Sequence, residues 1–460
     1  MSSPVNEFTL SRLVVISFLL TISIGALLLL LPVSRLPNVA PISWIDALFT
    51  SASAVCVTGL TIRDTGTTFS LFGQGIILGL IQIGGLGFLT ISTFFIARFQ
   101  GRRRGISLQH RHLLEISHGS IESVAPTQLL RAILLFTFLT ELLGALLLFD
   151  RFSETYPTGQ ATWLAIFHAI SAFCNAGFGL FADNMMGYRQ DLLVNGTIMG
   201  LIILGGLGFL VVADLTLWLV ARWHRQQKSL SLHSRLVLQT TLALIVFGTV
   251  AIAAIEWGGA AMGNQPMDVV LESLFLSVTS RTAGFNTADT ALLTGPTLFL
   301  VILLMAIGGS PGSTAGGMKT TTAAVCFALL RSKARNRPRV ECLERTLPDE
   351  TVNKAMLVVT GYLLAIIIGI LLLQLTEAGQ HPFNKTEGNL FLAHLFETVS
   401  ALGTVGLSTG VTPTLTTGGK LIITALMFVG RVGPLLAAGA MIGAVTKIQY
   451  TFAEENVNIG

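Results

Sequence analysis

Eight apolar runs, each long enough to cross a lipid bilayer, punctuate this chain, near residues 13–31, 72–97, 128–149, 196–221, 236–256, 297–330, 352–375 and 420–446. A hydrocarbon core about 30 Å thick needs roughly 20 helical residues to span it. In that medium the backbone has to satisfy its own hydrogen bonds, so runs of this length read as helices. Composition agrees: 52% of the 460 residues are hydrophobic and 11% are charged, against about 25% charged in a soluble domain. The first run lacks a convincing small-x-small cleavage site and many similar runs follow it, so it reads as a membrane helix and not a secretory signal. Cys56, Cys174, Cys326 and Cys342 form no CxxC pair, which argues for isolated thiols over a zinc site or disulfide framework.

The loops alternate in charge. Loops 98–126, 222–235 and 331–354 hold 5, 4 and 7 Lys/Arg, while loops 32–69, 150–194, 258–295 and 377–418 hold 2, 2, 1 and 1. The positive-inside rule then places both termini and the three basic loops in the cytoplasm. The four opposite loops hold 12 Asp/Glu, a balance that draws cations toward a mouth if the acids surround one; ordinary solvated loops explain any single acid equally well.

Each of those four loops also contains an apolar segment too short to span: Trp44 to Ala54, Trp163 to Ala172, Val269 to Val278 and Leu390 to Ala401. Segments of this length read as re-entrant or as buried core helices. A glycine follows each, at Gly59, Gly177, Gly284 and Gly406, and a second stands 25, 28, 24 and 24 residues further on, at Gly84, Gly205, Gly308 and Gly430. Leu80 to Leu89 and Leu201 to Leu210 agree at eight of ten positions. Recurrence at this period signals repeated supersecondary units. The expected fold is an all-α integral membrane protein of four tandem helix–pore-loop–helix repeats around one pseudo-fourfold pore, with eight transmembrane segments and four re-entrant half-helices. The repeats fall at 1–105, 106–225, 226–340 and 341–460. The third has a broken second helix with an intramembrane loop at 308–319, and the fourth carries the C-terminal tail.

The four half-helices end on Val57-Thr58-Gly59, Asn175-Ala176-Gly177, Thr282-Ala283-Gly284 and Thr404-Val405-Gly406. A dehydrated cation needs oxygen ligands in place of water, and a ring of backbone carbonyls supplies them. Glycine lets the chain take the dihedrals that turn carbonyls into a pore, and half-helix C-termini add a negative dipole. A lone membrane glycine is ordinarily a packing residue; four at matching positions point to an ion filter made of these twelve residues.

A second element interrupts the 297–330 run, where Gly309, Ser310, Pro311, Gly312, Ser313, Thr314, Ala315, Gly316, Gly317 and Lys319 crowd helix breakers and polar groups together. Such a stretch at membrane depth reads as unwound chain lining a cavity. A GxxxG-type packing surface suits Gly84–Gly87 better, and the phosphate-loop pattern fails because Met318 separates Gly317 from Lys319. Arg431 stands at the repeat position held by Gly85, Gly206 and Gly309. A mid-helix charge is a functional candidate by default, here for holding the loop across the pore as a gate. Arg281, three residues before Gly284, is expected behind the third filter strand, where pairing with a nearby acid such as Glu272 and a direct role weigh equally. Glu141 and Asp214 have no obvious partner and read as structural, and His168 and His394 read as packing.

These motifs resemble the Trk/Ktr/HKT superfamily of potassium transport proteins. Phe49 to Leu60 resembles its first pore loop and Gly308 to Thr321 its intramembrane loop, and the resemblance spans residues 10–460. Trk-type subunits usually carry an extra N-terminal helix pair; this chain opens on the first repeat, as KtrB-type subunits do. One departure is Cys174-Asn175-Ala176 in the second loop, where Gly177 is intact. The resemblance implies K⁺ as the transported ion with Na⁺ as a second candidate, and a homodimer with one pore per protomer. It also implies a cytoplasmic KtrA-like ring that alone would bring a nucleotide, a cell (inner) membrane location, and no nucleic-acid partner. The preference for K⁺ rests on Gly59, where sodium-selective relatives tend to carry serine. A Na⁺-coupled K⁺ symporter or a Na⁺-permeable HKT-like transporter is the alternative. An intramembrane enzyme is not expected, since HExxH, G-x-S-x-G and paired carboxylates are missing.

Overall fold

The computed structural model of the chain describes residues 7–102, 126–259, 261–263, 265–377 and 390–443. Most of the first basic loop, the start of the fourth opposite loop and the C-terminal tail lie outside these residues, together with the expectations placed on them.

Helices occupy all eight apolar runs. In chain order the elements are α1 (Glu7–Leu29), α2 (Trp44–Val55), α3 (Leu71–Arg102), α4 (Pro126–Phe152), α5 (Thr158–Phe173), α6 (Leu192–Leu207) and α7 (Phe209–Trp223). They continue with α8 (Leu232–Ile255), α9 (Pro266–Thr279), α10 (Gly295–Ala306), α11 (Thr320–Ala334), α12 (Asp349–Glu377), α13 (Leu390–Gly403) and α14 (Thr417–Gly443). A two-stranded hairpin, β1 (Glu341–Cys342) with β2 (Arg345–Thr346), sits between α11 and α12. Among the described residues, Leu130–Phe152, Leu232–Ile255 and Asp349–Glu377 are each long and apolar enough to cross a membrane, and α6 with α7 qualifies as one broken span.

The burial pattern is that of a protein solvated by lipid. Leu135, Phe138, Leu143, Phe247, Val250 and Ile367 face outward, while Ser51, Ser53, Thr58, Ser171, Ser277, Thr279 and Ser400 are fully enclosed. Lipid tails are as apolar as leucine, so association between membrane helices rests on close packing and hydrogen bonds rather than on hiding leucines.

The short helices α2, α5, α9 and α13 form the centre. α2, α5 and α13 are each wedged between the long helix before and the one after, whereas α9 packs on α8 and α6; one device recurs in all four. A Cβ added to Gly25, Gly144, Gly248 or Gly369 would collide with Leu80, Leu201, Leu304 or Leu426 at 2.6, 2.6, 3.0 and 3.0 Å. At Gly25, Gly248 and Gly369 it would also crowd Ser51, Ser277 and Thr398 of the short helix. The hydroxyls of Ser51 and Ser277 then donate to the Ile22 and Ile245 carbonyls at 2.7 and 2.9 Å. Gly84, Gly205 and Gly430 are the matching seats on the far side, pressed against the carbonyls of Val55, Phe173 and Leu402.

The sequence pattern predicts a straight crossing over 196–221, and here the structure differs. The axes of α6 and α7 bend by 101° at Gly208, whose φ is +84°. Pro311 and Gly312 fill the space beside it, and a Cβ there would lie 2.7 Å from the Pro311 carbonyl oxygen. Phe209 N–H, freed from the helix, donates to Gly312 O at 3.0 Å. The break is imposed by the loop packed against it.

Candidate ion-conducting site

Each short helix ends in a tight reversal that carries the predicted filter triplet. The first residue of every triplet is left-handed although none is glycine: φ is +56° at Val57, +60° at Asn175, +74° at Thr282 and +49° at Thr404. The glycines follow at +93°, +69°, +78° and +94°. Left-handed backbone at β-branched Val and Thr is an outlier that surrounding structure has to hold in place.

A hydroxyl does much of the holding. Ser53 Oγ accepts from Gly59 N–H at 3.1 Å, and Ser400 Oγ accepts from Gly406 N–H at 3.1 Å. Ser171, Thr279 and Ser400 donate to the carbonyls of Phe178, Phe285 and Leu407 at 2.8, 2.6 and 2.7 Å. Backbone bonds from Thr58, Ala176 and Val405 N–H to Ser53, Ser171 and Ser400 O, each 2.8 Å, close the reversals. The sequence reading did not single out these hydroxyls; their signal is a Ser or Thr five or six residues before each filter glycine.

The four reversals meet in a closed cycle. The Cβ position of Gly59 faces the Ala176 carbonyl, and that of Gly177 lies 2.8 Å from Ala283 O. Gly284 stands 2.5 Å from Val405 O, and Gly406 faces the Thr58 carbonyl. Four segments far apart in sequence are thus brought glycine against carbonyl around one axis. On one side of the ring opens a cavity of about 280 Å³, lined by all four glycines together with Asp64, Asp183 and Asp289.

The other side is occupied by the loop between α10 and α11. Gly308 N–H donates to Met318 O at 2.8 Å and closes the loop's neck. Ser310 and Thr314 N–H donate to Gly206 and Gly205 O at 3.0 and 3.1 Å, fastening the loop to the end of α6. Thr314 Oγ1 reaches Phe173 O at 3.1 Å, and Gly316 packs directly on Thr404. Lys319 Nζ donates to Ala315 O at 2.7 Å. Fully buried Arg431 donates to Thr314 O at 2.6 Å and to Gly84 O at 3.0 Å. One guanidinium therefore ties the loop to α3.

The remaining polar candidates are placed differently. Arg281 does not pair with Glu272; it points to Thr241 and to Gly308 O at 3.4 Å, beneath the third triplet. Glu272 instead accepts from Gly263 N–H and lies 4.0 Å from Arg189. Glu141, expected to lack a partner, accepts from Gln82 Nε2 at 3.1 Å, and Asp214 accepts from Ser231 N–H at 3.0 Å. His168 stacks on Phe181 and accepts from Leu180 N–H at 3.2 Å, and His394 meets Gln374 at 3.0 Å. All four cysteines are free.

The TrkH family profile, described as a cation transport protein, matches residues 10–439. The chain is 41% identical to the Ktr system potassium uptake protein B of Bacillus subtilis over 93% of its own length and 92% of that protein. It is 34% identical to the potassium/sodium uptake protein NtpJ of Enterococcus hirae, covering 98% and 97%. The crystal structure of the potassium transporter TrkH from Vibrio parahaemolyticus superposes with a TM-score of 0.69 over 96% of this chain and 85% of that one, at 18% identity, a likeness of fold. The chain is therefore a multi-pass membrane protein that belongs to the TrkH family of cation transport proteins, as a membrane subunit of the KtrB type.

Proposed function

We propose that this subunit conducts K⁺ through the closed cycle of Val57-Thr58-Gly59, Asn175-Ala176-Gly177, Thr282-Ala283-Gly284 and Thr404-Val405-Gly406. The observation that carries the reading is the cycle itself, four glycine reversals each packed on the next one's carbonyl with left-handed backbone two residues apart. Such backbone exposes carbonyl oxygens that can replace an ion's water shell. The C-terminal ends of α2, α5, α9 and α13 aim their negative dipoles at the same place. Asp64, Asp183 and Asp289 at the adjoining cavity raise the local cation concentration. The fold is read as four repeats over 1–105, 106–225, 226–340 and 341–460, with eight crossings and both termini in the cytoplasm of an inner-membrane protein.

The loop from Gly309 to Lys319 lies beneath the ring and is the gate. Arg431 holds it shut through the Thr314 carbonyl and sets a positive charge in the ion's path. The partners consistent with a KtrB-type subunit are a second copy, with one pore in each protomer, and a KtrA-like nucleotide-binding ring on the basic face. K⁺ is the substrate ion.

A second reading, Na⁺-coupled uptake, is favoured by the potassium/sodium relative from Enterococcus. Flux in liposomes separates the two. Voltage-driven K⁺ flux that persists without Na⁺ and does not saturate supports the channel; flux that requires Na⁺ and saturates supports the symporter.

A further inference from the structure

Away from the pore, an open groove of about 780 Å³ runs between α8 and α11. Its walls are apolar, with Ala243, Leu244 and Phe247 on one side and Ala324 and Phe327 on the other. Its end toward the basic loops carries Arg331, Arg335 and Arg337 under the β1–β2 hairpin. α8 starts from that same face, so Gln239 and Thr240 lie toward the arginine end and Phe247 toward the bilayer centre. We propose that this groove binds one anionic phospholipid of the adjoining leaflet, an acyl chain along α8 and α11 and the phosphate on Arg331 and Arg335.

Three features carry the assignment. Arg337 is engaged by Glu341, whereas neither Arg331 nor Arg335 has a carboxylate within ion-pairing distance among the described residues, leaving two guanidinium groups beside an apolar slot. Basic pockets between membrane helices at this depth suit anionic lipid headgroups, and guanidinium groups match phosphate geometry. Next, the lip of the groove is built. Glu341 N–H donates to the buried Ser332 Oγ at 3.2 Å, and the hairpin turns through Leu343 and Glu344, both left-handed at φ +48° and +63°. Glutamate and leucine there are strained, so the hairpin is held over the groove at a cost. Finally, Phe327 and Leu330 remain 67% and 69% exposed beside the arginine row, a chemistry that is apolar at one end and cationic at the other. A second copy docking through a twofold axis on this groove would set arginine against arginine.

Native mass spectrometry of the full chain, with palmitoyl-oleoyl phosphatidylglycerol or phosphatidylcholine added to the detergent, tests the assignment. The parent should hold phosphatidylglycerol about thirtyfold more tightly than phosphatidylcholine, as expected for two arginines near a charged lipid. Arg331→Gln with Arg335→Gln should bring that ratio to about one, and Arg345→Gln, outside the groove, should leave it unchanged. Ala324→Trp, which fills the wall, should lower retention of phosphatidylglycerol and carries the test alone if the glutamine pair does not fold. Equal retention of the two lipids by the parent, or an undiminished preference in either groove variant, overturns the proposal. So does displacement of the lipid by soluble glycerol phosphate, or a variant that loses dimer and not lipid.

Discussion

Replacing each ring glycine by alanine in turn gives a series whose order is set by geometry. An added Cβ lies closest to its neighbouring carbonyl at Gly406, then at Gly59, then at Gly284 at 2.5 Å, and has most room at Gly177 at 2.8 Å. Real Cβ atoms do not approach within 3.0 Å, so the struck oxygen has to retreat by half an ångström at Gly284 and by more at Gly59 and Gly406. Backbone strain follows the same order. Gly177 and Gly284, at φ +69° and +78°, sit near the left-handed well, whereas Gly59 and Gly406, at +93° and +94°, lie beyond it. An L-residue costs about 1–2 kcal/mol in that well and up to about 3 kcal/mol outside it. The retreating oxygens, on Thr58, Ala176, Ala283 and Val405, are the ones proposed to strip the ion. A change of about 1.4 kcal/mol in K⁺ against Na⁺ preference is tenfold. Gly177→Ala should therefore lower the K⁺/Na⁺ permeability ratio a few fold, and Gly406→Ala about tenfold or more. Reconstituted liposomes with paired cation gradients give the ratio, and thermal melts in detergent give stability. Four variants with parental selectivity, or the largest loss at Gly177, would refute the reasoning.

Three further outcomes are expected. Gly59→Ser should raise Na⁺ permeation relative to K⁺ in the same liposomes, since the side chain strikes the Ala176 carbonyl. Removing Ser313 to Gly316 should raise basal flux with selectivity unchanged; Arg431→Ala should do so more mildly, because each charge-assisted bond it loses contributes about 1.5–3 kcal/mol, and unchanged flux in both would show that the loop is not a gate. Ser400→Ala removes the partner of Gly406 N–H and Leu407 O, and should lower both melting temperature and selectivity, with Ser400→Thr restoring them.

The ring residues were legible because glycine spacing records a backbone requirement: the interval from Gly59 to Gly84 recurs at Gly284 to Gly308 and Gly406 to Gly430 within one residue. The bend at Gly208 was not legible, for an instructive reason. The ten residues from Leu80 and from Leu201 match at eight positions, yet the first stretch continues as α3 and the second breaks. Gly87 has open space around it, whereas Gly208 meets Pro311 and Gly312 from a loop a hundred residues later. Local propensity is the same in both; the tertiary neighbour differs. The partner of Arg281 was likewise open in the sequence, because the choice between Glu272 and the Gly308 carbonyl depends on which way the chain leaving α9 turns toward the loop. Periodic packing glycines such as Gly25 and Gly248 passed unremarked among the 47 in the chain.

The order in which the ring closes has a consequence for how the chain is made. Its last joint pairs Gly406 with Thr58, and the nearby Lys420–Asp46 contact at 3.3 Å and the Arg431 bond to Gly84 O likewise join late residues to early ones. Synthesis releases the N-terminal part first, so the first three reversals wait in the bilayer without their final neighbour until more than four hundred residues have been made. A ribosome that stalls, or a message cut short, yields three quarters of a ring, with the Thr58 carbonyl unopposed and the proposed ion path incomplete. Loss of the final helix pair should thus remove the fourth reversal and the Arg431 bond to Thr314 O together, so that such fragments lack uptake.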